Sequence, residues 1–398
     1  MSSSGVTRPA ASRDLQIDWL RGLAMTCVIV NHSKLESLLS WFSYERFWVV
    51  TAAEVFVVLS GVVLGMVYGR RLARDGWRAV VRGLGRRAIT LYAAFVAVTL
   101  SIVVLSFLGV DVWVLSAGTD RIATWLGDPA SIDASAVRDM LLMRSGVWAF
   151  EIVGLYVWLV LVAIPCLLAL RFVGWQPLLA VSWMVFLAYR VAPHPLTSAE
   201  FEAVFPIAAW QLLFVHGIAI GYHRDALAGL ASRCSRWSRA LPAAAAAIAA
   251  MFAVFALCNP WLTGPSWLRL SIVSADRFAD LYARYFALTE LGLGRILNLA
   301  IALPVGYMLL GACWRWIAPL HAIFITLGQQ SLGAFVLHTY GLLLIARVGS
   351  HDDVWLNTLI QLLVIVGIAT ILAGVRSAKA SLRRQTGVRR RQPIGAAA

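Results

Sequence analysis

Apolar runs of about twenty residues follow one another along almost the whole chain, with short arginine clusters between them. A helix of that length rises ~30 Å, the thickness of bilayer hydrocarbon. Ten such candidates fall at about 17–40, 47–68, 88–110, 147–170, 175–191, 205–222, 240–258, 293–313, 317–345 and 354–375. Of 398 residues, 60% are hydrophobic and 14% charged. The expected fold is an all-α, polytopic integral membrane bundle of about ten transmembrane helices, with the lipid bilayer as its solvent.

The 34 Lys and Arg against 20 Asp and Glu give a net charge of +14. That excess sits in short loops, where the positive-inside rule explains it, so nucleic acid is not an expected partner. Seven arginines lie between Arg70 and Arg87, seven basic residues between Arg376 and Arg391, and four arginines between Tyr222 and Arg239. All follow even-numbered candidates, while the opposite loops are acidic or balanced. Both termini are therefore expected in the cytoplasm, and the protein in the cytoplasmic membrane. The N-terminus lacks a cleavable signal pattern, so the first run is expected to remain as an anchor. With no internal repeat or linker, the division is a short cytoplasmic segment over 1–16, one membrane domain over 17–375, and a basic disordered tail over 376–398. Five scattered cysteines, Cys27, Cys166, Cys234, Cys258 and Cys313, show neither metal-ligand nor disulfide spacing. No metal and no permanently bound cofactor are expected.

The stretch RGLAMTCVIVNH places two penalised groups, Arg21 and His32, at the ends of an apolar segment. Eleven residues separate them, which puts them about 20° apart around a helix axis and ~16 Å apart along it. Asp18 lies on nearly the same face, one turn below Arg21. Ionisable groups aligned on one face of a membrane helix mark a bundle interior or a wet cavity, and hence a functional site. The plainer reading has Arg21 snorkelling beside Asp18 and His32 as a hydrogen-bonded bundle histidine.

In TAAEVFVVLSGVVLG, Glu54 shares a face with Gly61 and Gly65. The small-residue face invites close approach of a neighbour, expected to be the first helix, and would set Glu54 beside His32 as its orienting carboxylate. Further along, Glu151 and Tyr156 near one end of the fourth candidate, and Trp210 with Gln211 in the sixth, are further candidate site residues. Glu151 is equally an interfacial carboxylate, and a tryptophan in a helix equally a packing or belt residue. His338 is a bundle histidine or a site residue, and Ser331 and Ser60 are hydroxyls inside apolar spans.

The R-x10-H spacing of Arg21 and His32 resembles the first-helix signature of membrane acyltransferase family 3. RDLQIDWLRG...VNH followed by TAAEVFVVLSGVVLGMVYGRR and RRAITLY more closely resembles the OpgC family, named for succinylation of osmoregulated periplasmic glucans. FPIAAWQLLFVHGIAIGYHRD and LGQQSLGAFVLH are similar to that family's sixth and ninth helices. Where a histidine is expected shortly after LY of the third helix, this chain has Phe95. The resemblance implies an acyl-CoA-dependent O-acyltransferase. It would take a succinyl or acetyl group from succinyl-CoA or acetyl-CoA on the cytoplasmic side and deliver it to a hydroxyl of an extracytoplasmic glycan or other polyol. On that reading His32 is the general base, Glu54 orients it, and Arg21 with Asp18 binds the acyl-CoA donor. Glu151, Tyr156, Trp210, Gln211, Ser331 and His338 are then the candidate contacts for the glycan or other substrate, and Ser60 or Ser331 the hydroxyl to be tested as an acyl acceptor. A secondary transporter or flippase is the rival from another class. Against it stand the lack of two matching halves and the concentration of charge in the first two helices.

Overall fold

The computed structural model describes residues 13–116, 122, 125–126, 132–233, 240–350 and 352–389, and among them the secondary structure is helical, with no strand. We number the principal helices α1 (Leu15–His32), α2 (Ala52–Asp75), α3 (Trp77–Phe107), α4 (Glu151–Phe172), α5 (Trp175–Val191), α6 (Ile207–Tyr222), α7 (Ala240–Leu257), α8 (Leu293–Cys313), α9 (His321–Gln329), α10 (Ser331–Val348) and α11 (Val354–Arg389). Seven spans, taken from α2, α3, α4 with the turn before it, α7, α8, α10 and α11, are long and apolar enough to cross a membrane.

Where the helix boundaries differ from expectation, local chemistry explains the shift. α1 stops at His32 instead of reaching 40, because the backbone at Lys34 turns left-handed with φ 54°. α2 starts at Ala52 instead of 47, since Thr51 and Glu54 form a capping box: the Thr51 N–H donates to Glu54 Oε2 at 2.6 Å and the Thr51 hydroxyl at 3.0 Å. The arginine-rich segment expected as a loop is helical. α2 runs to Asp75, Gly76 at φ 77° breaks the chain, and α3 begins at Trp77 rather than 88. Arginine is a good helix former, and its charge can stay outside the apolar layer while the backbone remains helical. The ninth candidate is divided at Gln330 into α9 and α10. Part of the expected disordered tail is also helical, because α11 continues to Arg389; 1–12 and 390–398 lie outside the described residues.

The glycine face of α2 meets α6, not α1 as expected. A Cβ at Gly61 would overlap the Phe214 carbonyl oxygen and one at Gly65 that of Ile218; reciprocally, one at Gly217 would overlap that of Val58 and one at Gly221 that of Val62. Both helices thus carry a small-xxx-small stripe, and their backbones touch. α1 and α9 approach in the same way through Gly22 and Gly328. Gly221→Ala is expected to cost about 1–3 kcal/mol by overpacking, read as a lower melting temperature in detergent. Gly85→Ala, where an added methyl meets nothing within 4 Å, is the control that should leave melting in place.

Candidate functional site

α1 and α10 lie side by side, and each end of the Arg21 to His32 segment finds its partner on α10. At one end, the Arg21 Nη2–H donates to the Ser331 hydroxyl at 2.6 Å, and that hydroxyl donates onward to the Gly328 carbonyl at 3.3 Å. At the other, His32 Nδ1 and His338 Nε2 are 3.2 Å apart. The seven residues from Ser331 to His338 rise ~10 Å, two turns on one helix face. The two helices therefore run in the same direction.

The proton positions in the histidine pair follow from one contact. His338 Nδ1 lies 2.6 Å from the Phe335 carbonyl oxygen, which only accepts, so Nδ1 carries the hydrogen. In a neutral imidazole His338 Nε2 is then an acceptor, His32 Nδ1–H donates to it, and His32 Nε2 keeps a free lone pair. Trp148 packs against the His32 ring with centroids 4.8 Å apart.

Two cavities occupy the opposite ends of this helix pair. The basic one, about 850 Å³, is lined by Arg21, Arg70, Arg86, Arg87, Lys379 and Ser331, among others. Asp18, on its wall, is held by Arg13 at 2.6 and 3.2 Å, by Gln329 at 3.1 Å, and by Arg21 at 3.8 Å. The other cavity, about 760 Å³, is lined by His32, Lys34, Thr51, Trp148, Glu151 and Phe335, among others. Between them stands an aromatic layer. Phe56 meets Phe335 and Tyr156 edge-on at 5.3 and 5.7 Å, and the Arg21 guanidinium lies 5.2 Å from the Phe56 ring.

A family model described as OpgC protein matches residues 13–382. The chain belongs to the OpgC family. Membership points to a membrane acyltransferase. No curated protein and no solved structure matches it.

In this OpgC-family chain, four sequence candidates converge on the helix pair: Arg21 with Ser331, and His32 with His338. Asp18 holds the arginines at the basic end, and Glu151 lines the His32 cavity. Glu54 does not accompany His32. Its capping box turns the carboxylate back toward Thr51, and Arg295 of α8 donates to the same oxygen at 3.0 Å. Arg295, wholly buried, also donates to Glu45 at 2.5 Å, to the Tyr282 hydroxyl at 2.7 Å and to the Phe286 carbonyl at 2.8 Å. That network pins the start of α2 and the 43–51 segment to α8.

Trp210 and Gln211 are packing residues away from both cavities. Trp210 donates to the Thr289 carbonyl at 3.3 Å and backs Phe205, while Gln211 accepts from the Ser182 hydroxyl of α5 at 2.8 Å. Tyr156 belongs to the aromatic layer rather than to a glycan surface. Ser60 and Ser331 both line the basic cavity. Phe95 is buried against Phe150 with centroids 6.5 Å apart, behind the turn that carries Trp148. Arg295 went unnoticed in the sequence although the rule that flagged Arg21, an isolated charge inside an apolar span, applies to it equally.

Proposed function

We propose that this chain is a membrane O-acyltransferase in which an acyl-CoA enters the basic cavity and an acceptor hydroxyl, on a glycan or similar polyol, enters the cavity at His32. The observation that supports it is the shared helix. Arg21 faces a cavity rich in guanidinium groups, while His32, ~16 Å further along α1, faces a second cavity with Nε2 free to take a proton.

The arginines and Lys379 suit the phosphates of a CoA donor, and guanidinium forks bind phosphate in pairs of hydrogen bonds. The pantetheine arm would run beside α1 through the aromatic layer and bring the thioester to His32. There His32 Nε2 takes the hydroxyl proton, the oxygen attacks the thioester carbonyl, and a C–O bond forms. Collapse breaks the C–S bond, and the imidazolium returns the proton to the departing thiolate, giving ester and free CoA. His338 is the positioning residue: its acceptor nitrogen fixes the His32 tautomer, the part expected of Glu54. On this reading the basic end, with both termini, is cytoplasmic, the His32 cavity opens on the far side, and the membrane is the cytoplasmic one.

The test is purified protein in nanodiscs supplied separately with acetyl-CoA and succinyl-CoA, following thiol release and acyl transfer to a gluco-oligosaccharide. Turnover of either donor is expected. Binding of neither would sink the reading and bring the transporter or flippase to the front. His338→Phe should lower kcat ~10–100-fold, less than the ~10²–10⁴-fold that a positioned acid–base group itself contributes, and leave the KM for acyl-CoA near its original value, since the donor is held at the other end. A change in KM alone would count against the positioning role.

A further inference from the structure

The wall of the His32 cavity has an ammonium group that takes no part in the proton transfer at His32. Lys34 is the sole Lys or Arg among the described residues that line this cavity. Two residues past His32 its backbone is left-handed, φ 54°, a conformation that L side chains avoid and that persists only where surroundings enforce it. The ammonium lies 4.5 Å from the centroid of Trp148, the ring that also packs against His32 at 4.8 Å. Lysine and catalytic imidazole thus share one aromatic wall, no farther apart than those two lengths laid end to end. Among the described residues no carboxylate forms a salt bridge with Lys34.

The geometry points to Lys34 as the residue that selects a negatively charged group at the reacting centre. This rests on the acyltransferase reading. An acyl chain whose thioester carbonyl sits at His32, and which carries a carboxylate two methylenes further on, would place that carboxylate against the ammonium. A lining carboxylate reinforces the choice. Glu36, which accepts from the Trp41 indole at 2.9 Å, repels an anion from another wall. An uncharged acyl group gains nothing from Lys34. The same anion seat would serve a negative group on the acceptor, so the test separates the two sources.

In the donor arm, succinyl-CoA and butyryl-CoA, of equal chain length to the fourth carbon, are compared on one preparation. A hydrogen bond to a charged group is worth roughly tenfold to a hundredfold in discrimination. Lys34→Gln should therefore lower the succinyl-to-butyryl ratio of kcat/KM by ~10–100-fold, and Lys34→Arg should restore part of it. Since the ratio is taken within one sample, partial misfolding does not imitate the effect. On wild type alone, free succinate should slow butyryl-CoA cleavage more than succinamide does. In the acceptor arm, acetyl-CoA is used with a neutral gluco-oligosaccharide and with its C6-oxidised uronate form. A ratio that moves here and not in the donor arm assigns the anion to the acceptor and still supports Lys34 as the anion seat.

Ratios equal to wild type in both arms, with succinate no better than succinamide, overturn the role of Lys34 and leave the His32 chemistry standing. A wild type that cleaves none of the thioesters overturns the transferase reading and this assignment with it.

Discussion

Alanine at His32 is expected to lower acyl transfer from acyl-CoA by ~10²–10⁴-fold, the contribution of a positioned general base. The loss should fall on kcat. Arg21 and its cavity lie ~16 Å down the same helix and touch neither His32 nor His338, so donor binding should survive. Stability should change little, because His32 is the last residue of α1 and only half-buried. Truncation of the imidazole opens a path from the cavity to His338 Nε2, where solvent can replace the lost donor. Thermal melting and analytical size exclusion would establish that the variant is folded, and thiol release from acyl-CoA would give the rate. A folded His32→Ala protein that keeps the wild-type rate would remove the imidazole from the mechanism.

Removing the charge of Arg295 should damage the fold more than any other single change considered. Arg295→Met leaves Glu45 and Glu54 buried side by side with no cation between them, and breaking a buried ion pair by deleting one partner costs ~3–5 kcal/mol. The start of α2 and the 43–51 segment would lose their tie to α8, and with them the wall of the His32 cavity that contains Thr51. The expected result is a large drop in melting temperature or failure to recover folded protein. The triple variant Glu45→Gln, Glu54→Gln, Arg295→Met should recover most of the loss, because a neutral set leaves no charge stranded. If the triple variant melts no higher than Arg295→Met, the damage comes from packing around the guanidinium and the charge argument fails.

Much of the membrane architecture could be read from apolar run length, since spanning hydrocarbon is a constraint on each segment by itself. The alignment of Asp18, Arg21 and His32 was legible for the same reason, as helix periodicity within one segment fixes it. The capping box in Thr51-Ala-Ala-Glu54 was equally local and equally available, and it would have told where α2 begins and where the Glu54 carboxylate points. Partners between helices were not legible. His32 finds His338 across 306 positions, and Glu54 finds Arg295 across 241. Nothing in either segment states which neighbour it will have. The glycine stripe of α2 announced a close crossing, but a matching stripe on α6, Gly217 and Gly221, had to be recognised before the partner could be named. Trp210 and Gln211 show the converse error, in which residue types suited to sugar contact hold a helix to its neighbours, Gln211 to α5 and Trp210 to Phe205 and Thr289.

The long separations within the buried network have a consequence for the order in which the protein is made. Ribosomes add ~5–20 residues per second, so tens of seconds pass between the synthesis of Glu54 and that of Arg295. During that interval the N-terminal helices wait with two carboxylates whose counter-charge does not yet exist, and His32 waits longer still for His338. A chain stopped before α8 would contain the whole Arg21 to His32 segment and yet no completed site. Pairing of the two histidines is therefore a late event, set by the last third of the chain, and an unfinished copy in the membrane would hold His32 without His338.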